Sequence, residues 1–298
     1  MRTAVARYRE FAPCERLQNQ IRAFFSFTVS NESDQPRARR VTREVRFSHG
    51  DSFCSPLFAD GHISMAVSFE RACYPDGSWR PLSAGPRGDV IGAMTTVGPA
   101  SLGERAEMIG VYFRAAPVPG LLPVPVHELT DRVVSMPELW GRAASEWIMQ
   151  LCEKSSEAER IDYLESLLLK RCCAIECEAD AIDLLGLAAQ VLRERGRTTV
   201  EHLADAAGVS RQHLTRIFRP RVGVTPKTYC RLARFHAGLA YTGCGLKSDW
   251  AQAALDLGYA DQSHMIAEFR AFSSLTPGAL SSGRWFHPFI ECARQPRP

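Results

Sequence analysis

In the first 130 residues of the chain, hydrophobic positions come in short runs rich in β-branched and aromatic side chains. The runs fall at residues 24–29, 41–47, 62–69, 90–91 and 108–113, and such runs are typical of β-strands. Glycine and proline turn signals separate them, at residues 60–61, 75–77, 85–86 and 98–99. The pattern predicts an antiparallel β-barrel or sandwich in residues 1–134.

From Val126 onward, apolar residues recur at the spacing of helices. Ser135 is followed by Pro137 and Glu138, which is the pattern of a capped helix start, and residues 135–179 are predicted to form a helical linker region. Residues 181–195 show another amphipathic pattern, ended by arginines and Gly196. The chain is therefore predicted to belong to the α+β class.

Residues 198–219 have the pattern of a helix-turn-helix. Thr199 precedes a short helix in which the small residue Ala204 allows a close helix crossing. Gly208 supplies a left-handed turn, and Ser210 caps a second helix, residues 211–219. The open side of that second helix carries long hydrogen-bonding side chains, which can reach base edges in a DNA major groove.

Fifty residues later the same arrangement returns. Asp249 opens a helix, Gly258-Tyr259-Ala260 stands where Gly208-Val209-Ser210 stood, and Asp261 caps a second recognition-like helix that runs to Phe272. A long helix, residues 227–242, is predicted to hold the two units at a fixed separation. An internal repeat of this kind is a far more specific signal of the motif than one copy.

On these residues the sequence resembles the AraC family of bacterial transcription regulators. The first half matches as Leu203-Ala204-x3-Gly208-Val209-Ser210-x3-Leu214-x-Arg216-x-Phe218-Arg219 and Gly223-x-Thr225-Pro226-x2-Tyr229-x-Arg231-Leu232. The second half matches as Ala253-Ala254-x3-Gly258-Tyr259-x-Asp261-Gln262-Ser263-His264-x4-Phe269-Arg270, closing with Leu275-Thr276-Pro277. The resemblance implies a C-terminal all-α DNA-binding domain in residues 180–282, with residues 283–298 as a tail.

Candidate DNA contacts follow from the exposed positions of the two recognition helices. Side chains suited to base edges are Arg211, Gln212, Thr215, Arg216, Gln262 and Ser263. Side chains suited to phosphates are Arg219, Thr225, Lys227, Arg270 and Thr276. For the arginines, contact with phosphates alone or with solvent is the alternative. The AraC family often has arginine where Ala267 stands, so the second unit is expected to grip mainly phosphates.

The N-terminal part also resembles a sensor-type domain that precedes this DNA-binding unit in one branch of the family. The matching segments are Tyr8-Arg9-Glu10-Phe11, Asp60-Gly61-His62, Gly110-x-Tyr112-Phe113-Arg114 and Glu128-Leu129-Thr130-Asp131-Arg132-Val133-Val134. The resemblance implies a cupin-like β-barrel that binds an effector, dimerises, or both. Asp60, His62 and Arg114 are candidate ligand contacts in such a barrel, and local loop or surface roles are the alternative.

Charge and cysteine content refine this picture only modestly. Residues 180–298 hold 15 Lys and Arg against 10 Asp and Glu, whereas the whole chain has a net charge of +3, so the basic excess lies in the proposed DNA-binding part.

The ten cysteines form no CxxC pair. For Cys172, Cys173 and Cys177 we expect buried free thiols, with a soft-metal or redox cluster as the alternative. The N-terminal residues lack an apolar stretch, so a cytoplasmic protein is expected, with no membrane association.

Sequence motifs of catalysis are missing. The chain has no GxSxG, no GxxxxGK[ST] and no HExxH, and His49 and His62 do not have the spacing of a metal-binding cupin. We therefore expect no enzyme activity, no cofactor and no metal. The predicted function is a sequence-specific DNA-binding regulator that responds to a small-molecule effector, activates more often than it represses, contacts RNA polymerase and forms a homodimer. The alternatives are a non-specific or architectural DNA-binding protein and a cupin-type enzyme with a DNA-binding tail.

Overall fold

The computed structural model describes residues 5–30, 41–48, 59–69, 71–73, 79–81, 85–97, 106–116, 120–173, 182–243 and 249–282. The predicted tail, residues 283–298, and Cys177 lie outside the described residues, as does His49. Within the described residues the chain is α+β, with strands first and helices after them, as the sequence predicts. No helix in this part of the chain combines the length and the apolar character needed to cross a membrane.

The N-terminal part is built around one antiparallel sheet. The strands are β1 (Val5–Phe11), β2 (Ile21–Ser30), β3 (Val41–Ser48), β4 (Ser64–Ser68), β5 (Arg71–Cys73), β6 (Trp79–Pro81), β7 (Arg87–Ile91), β8 (Ala106–Phe113) and β9 (Val133–Ser135). Seven of them form a sheet in the order β3-β1-β2-β8-β4-β7-β9, and β5 pairs with β6. The edge strands β3 and β9 do not pair over the residues described, so the sheet is open and the predicted closed barrel is only an approximation.

Strand β1 is the main element that the hydrophobic pattern does not predict. Charged residues interrupt its apolar positions, which hides the strand signal. The structure explains the charges, because Arg9 is buried and its Nη1 atom lies 2.8 Å from a carboxylate oxygen of Glu157 in a helix that covers the sheet. Glu157 also accepts a hydrogen bond from the hydroxyl of Ser26 in β2. A salt bridge between Arg9 and Glu157 therefore links this helix to the sheet.

The remaining regular elements of the described chain are helices. They are a 3-10 helix (Val126–Leu129), α1 (Met136–Trp140), α2 (Arg142–Cys152), α3 (Glu157–Cys173), α4 (Leu184–Arg193), α5 (Val200–Ala206), α6 (Arg211–Val222), α7 (Pro226–Gly243), α8 (Trp250–Asp256), α9 (Gln262–Ser273) and α10 (Pro277–Ser282). Ser135 caps α1 as predicted, since its hydroxyl accepts from the N–H of Glu138. The helix predicted over 181–195 is shorter, because Asp183 caps it by accepting from the N–H of Gly186.

Buried side chains of the described residues form three hydrophobic clusters. The first lies between the sheet and helices α1–α3. The second contains the core of α4–α6 and also takes in Ala93 and Ala116 from the N-terminal part. The third contains the core of α7–α10 and takes in Ala59. Because N-terminal residues complete the cores of both helical units, the two parts of the chain pack directly against each other.

Candidate nucleic-acid interface

The first helix-turn-helix is formed by α5, a tight turn and α6. The hydroxyl of Thr199 accepts from the N–H of His202, and the hydroxyl of Ser210 accepts from the N–H of His213, so both predicted caps are present. Gly208 has a φ of +65°, which is the left-handed conformation predicted for the turn. Recognition helix α6 continues to Val222, three residues beyond the predicted end at Arg219.

The second helix-turn-helix, α8 and α9, repeats these contacts. Asp249 and Asp261 cap its two helices, and Gly258 in the turn has a φ of +78°. The N–H of Tyr259 donates to the carbonyl of Ala254 over 2.9 Å, as that of Val209 does to Ala204 over 3.0 Å in the first unit. The turn is one residue longer than in the first unit, so positions in α9 correspond to positions in α6 that are 51 lower in number.

A cleft of about 1350 Å³ lies between the two units. Residues of α6, α7 and α9 line it, with further contributions from the start of α5 and the turn at Gly258. Among the described residues, its walls carry six cationic side chains and two carboxylates. These charged residues are Arg197, Arg211, Arg216, Lys227, Arg231, Arg234, Glu201 and Glu268. A basic concave surface of this kind attracts the phosphate backbone of a nucleic acid.

The base-contact candidates of α6 lie together at this cleft. Arg211, Gln212, Thr215 and Arg216 all line it. The Nη1 atom of Arg211 lies 2.6 Å from a carboxylate oxygen of Glu201, and both side chains are exposed. The hydroxyl of Thr215 donates back to the carbonyl of Arg211, and Arg216 lies 3.4 Å from the ring of His213. Because the ion pair is exposed, it is weak enough to exchange for a contact with DNA.

The candidates of α9 are exposed on the second recognition helix. Gln262, Ser263 and Arg270 are all exposed, as is Ala267, which occupies the position of Arg216 in the first unit. The cleft itself is reached from α9 by His264 and Glu268. The base-contact candidates of α6 therefore line the cleft, whereas those of α9 lie on a separate helix of the same domain.

The phosphate candidates lie at helix ends and in the connections between helices. Lys227 is exposed, and it lines the cleft together with Thr225. The hydroxyls of Thr225 and Thr276 cap α7 and α10 in the same way, accepting from the N–H groups of Thr228 and Ala279. Arg219 faces a second hollow of about 380 Å³ between α6 and the N-terminal part. The first N–H groups of a helix favour anions, so the positions of Thr225, Lys227 and Thr276 suit phosphate contact.

Two arginines of α7 hold the second unit in place, and the sequence interpretation gave them no role. The Nε atom of Arg231 donates to a carboxylate oxygen of Glu268 in α9 over 2.7 Å. The Nη1 atom of Arg234 donates to the carbonyl of Gly258 over 3.1 Å, and its guanidinium lies 5.5 Å from the ring centre of buried Tyr259. The sequence signal that could have identified them is their spacing of three residues, which places both side chains on one face of α7.

The N-terminal part contacts both helix-turn-helix units. The hydroxyl of Thr130 donates to the carbonyl of Gly223 at the end of α6 over 2.8 Å. The N–H of Ala59 donates to the carbonyl of Phe272 in α9 over 3.0 Å, and the carbonyl of Ala59 lies 3.0 Å from Nε2 of His236 in α7. We call these the interdomain contacts.

The segment Asp60-Gly61-His62 lies at these interdomain contacts. The rings of His62 and His236 stack with centres 6.0 Å apart. Burial lowers the pKa of His62 to about 3 and that of His236 to about 4, so both imidazoles are neutral at physiological pH. Burial raises the pKa of Asp60 to about 7, although N–H groups of His62 and Met94 partly oppose the rise.

The three candidate ligand residues do not all lie in one place. Asp60 and His62 are neighbours at the interdomain contacts, where the N–H of His62 donates to Oδ1 of Asp60 over 3.1 Å. Arg114 is exposed, and its Nε atom donates to the carbonyl of Gln18. Their ligand role stays a prediction. Among the residues described, no three His, Cys, Asp or Glu side chains are placed to hold a metal ion.

The cysteine cluster is described only in part. Cys172 and Cys173 are free thiols in the last turn of α3, and Cys173 is exposed with the Nη2 atom of Arg16 at 3.7 Å from its sulfur. Because Cys177 is outside the described residues, the functional alternative for this cluster stays a prediction.

Two family models match the chain. Residues 203–282 match a model described as a helix-turn-helix domain, and residues 9–135 match one described as a domain of unknown function, DUF6597. The first match runs from Leu203 in α5 to the end of α10 and so includes both recognition helices. A search of curated proteins finds no match.

Several solved structures are similar at low sequence identity. ToxT from Vibrio cholerae O395 is 12% identical, with 78% of this chain and 95% of that chain covered and a TM-score of 0.38. Wild-type ToxT from Vibrio cholerae strain SCE256 with a bound unsaturated fatty acid is 12% identical, with 80% and 94% covered and a TM-score of 0.41. The xylose-binding transcription activator XylR is 15% identical, with 42% and 39% covered and a TM-score of 0.30.

Proposed function

We propose that this DNA-binding transcription regulator, whose residues 203–282 form an AraC-type helix-turn-helix domain, recognises a defined DNA sequence with both of its units. The observation that carries the proposal is the basic cleft between the units, where base-contact candidates of α6 meet cationic side chains of α7. Two recognition helices held on one domain can enter successive major grooves about one helical turn apart.

The side chains divide into two roles. Arg211 and Arg216 have the forked donors that bind the O6 and N7 atoms of guanine, and Gln212 and Thr215 add hydrogen bonds to neighbouring base edges. Lys227, Arg219 and Thr225 bind phosphates, as do Arg270 and Thr276 in the second unit. Phosphate contacts fix the register of the protein on DNA but carry no sequence information directly.

The N-terminal domain is the proposed control element. A small-molecule effector bound by this domain would act through the interdomain contacts, which reach α6, α7 and α9. An effector that favours one arrangement of these contacts shifts the population of DNA-competent molecules. By its AraC resemblance, we expect the chain to act in the cytoplasm as a homodimer and to activate transcription through RNA polymerase more often than it represses.

The test is selection of DNA fragments by the purified full-length protein, followed by titrations of the best fragment at two salt concentrations. Arg216→Ala should lose preference at one or two base positions, by about 1–3 kcal/mol. Lys227→Ala should instead weaken binding to all fragments alike and lower the salt slope by about one.

Arg142→Ala is a matched control, because it removes the same charge from an exposed position on α2 in the N-terminal part. It should leave both preference and salt slope unchanged. If the fragments bind alike, with a steep salt dependence and no change in preference for Arg216→Ala, specific recognition is wrong and an architectural DNA-binding role replaces it.

A further inference from the structure

The two recognition helices are anchored in the same way, so their DNA-facing positions can be matched one to one. Leu214 and Phe218 of α6 are fully buried, as are Met265 and Phe269 at the corresponding positions of α9. At the ends of the two helices, the N–H groups of Gly223 and Ser274 donate to the carbonyls four residues before them, in both cases over 2.9 Å. The match therefore holds from the first turn to the last.

At the matched positions the chemistry of the two helices differs. Arg211, Gln212, Thr215 and Arg216 in α6 correspond to Gln262, Ser263, Ile266 and Ala267 in α9. Gln262, Ser263 and Ala267 are exposed, and Ile266 is half-buried. Where the first helix presents two guanidinium groups, the second presents an amide, a hydroxyl and two apolar side chains.

This set of side chains favours A·T base pairs. A glutamine side chain pairs with the N6 and N7 atoms of adenine, and apolar side chains such as alanine contact the C5-methyl group of thymine. The forked cation that binds guanine is missing from these four positions. Glu268, whose carboxylate could otherwise accept a hydrogen bond from cytosine, is buried and bound to Arg231.

We propose that the second recognition helix reads A·T base pairs, with Gln262 on adenine and the side chains of Ala267 and Ile266 on thymine methyl groups. The DNA site would then have a guanine-containing half bound by α6 and an A·T-rich half bound by α9. This inference rests on the proposed function, and it replaces the expectation that the second unit binds mainly phosphates.

The test replaces thymine by uracil in each half of the selected site, because uracil keeps base pairing but lacks the methyl group. In the half bound by α9, each contacted methyl that is lost should weaken binding by about fourfold. Ala267→Ser adds one hydroxyl to this side chain, and it should reduce the effect of uracil at the thymine that Ala267 contacts to below about twofold. The effect at the thymine that Ile266 contacts should stay at about fourfold. The same variant should respond to uracil in the other half as the wild type does.

A second variant tests the reading in the opposite direction. Ala267→Arg restores a forked donor at the position matched with Arg216, and it should select guanine at one position of the A·T half by about 5- to 150-fold. If wild-type protein selects guanine in one half but tolerates uracil and G·C pairs in the other, the A·T reading is wrong and base recognition by the second unit fails with it, whereas the proposed sequence recognition by α6 stands. If neither half is selected, the proposed function fails and the inference fails with it.

Discussion

Replacement of Asp60 by asparagine tests the half-buried carboxyl at the interdomain contacts. Asparagine keeps the oxygen that accepts from the N–H of His62, but it cannot ionise. The pKa of Asp60 is raised to about 7 from 3.8, mainly by burial, so ionisation of this group opposes folding more as pH rises. The sign follows from linkage. Because the pKa of this carboxyl is higher in the folded than in the unfolded protein, the protein is most stable below pH 3.8, and it loses stability as pH rises to about 7.

These pKa values set the size of the effect. Compared with a side chain that cannot ionise, the raised pKa lowers the stability of the fold by about 4 kcal/mol at pH 8 and by about 1.7 kcal/mol at pH 5, where the folded carboxyl is protonated and the unfolded one is largely ionised. Asp60→Asn should therefore stabilise the protein by about 2.5 kcal/mol more at pH 8 than at pH 5. This difference between two pH values does not depend on changes in packing, because those are the same at both.

Urea unfolding of the full chain at pH 5 and pH 8, followed by circular dichroism, measures the difference. Asp205→Asn is the control, since Asp205 is exposed on α5, and its effect should be the same at both pH values. Equal effects of Asp60→Asn at pH 5 and pH 8 would refute the reasoning, because the carboxyl would then titrate as it does in the unfolded chain.

Two further predictions concern packing and domain contact, and both are measured by the same urea unfolding. Gly196→Ala should cost about 2–4 kcal/mol, because Gly196 has a φ of +70° and an added Cβ would lie 2.0 Å from the carbonyl oxygen of Cys230. Gly208→Ala, also at positive φ (+65°) in the turn that ends α5 but with nothing within 4 Å, should cost only about 1 kcal/mol, and equal losses would exclude the steric explanation. Thr130→Val removes the interdomain hydrogen bond to α6 and should cost about 1 kcal/mol. Thr96→Val, at an exposed position, should cost less than about 0.5 kcal/mol, and a loss as large as that of Thr130→Val would contradict the role of this bond.

Local signals were sufficient to predict the DNA-binding domain. The caps at Thr199, Ser210 and Asp261 and the left-handed glycines at the two turns each depend on a few neighbouring residues, so they could be identified from sequence. The same local logic predicted the exposed faces of α6 and α9. It did not predict the exact end of α6, because Pro220 within the last turn suggests an earlier stop than the structure has.

Features that depend on distant residues required the tertiary structure. Strand β1 carries buried charges that only their partners explain, such as Glu157, which lies 148 residues from Arg9 in the chain. The pairing of Arg231 with Glu268 and that of Ala59 with Phe272 join segments far apart in sequence in the same way. Hydrophobic periodicity indicates secondary structure, but it does not show which side chains of distant segments will contact each other in the fold.

The sequence by itself thus determined that residues 198–282 hold two helix-turn-helix units and which of their side chains are exposed. Helix caps and turns are local, and their free energy depends on residues within one or two turns. The tertiary structure decided that the N-terminal sheet is open over the described residues, that Asp60 and His62 lie against the DNA-binding domain, and that Arg114 lies elsewhere. These are outcomes of packing between segments far apart in the chain, where burial and partner geometry decide each position.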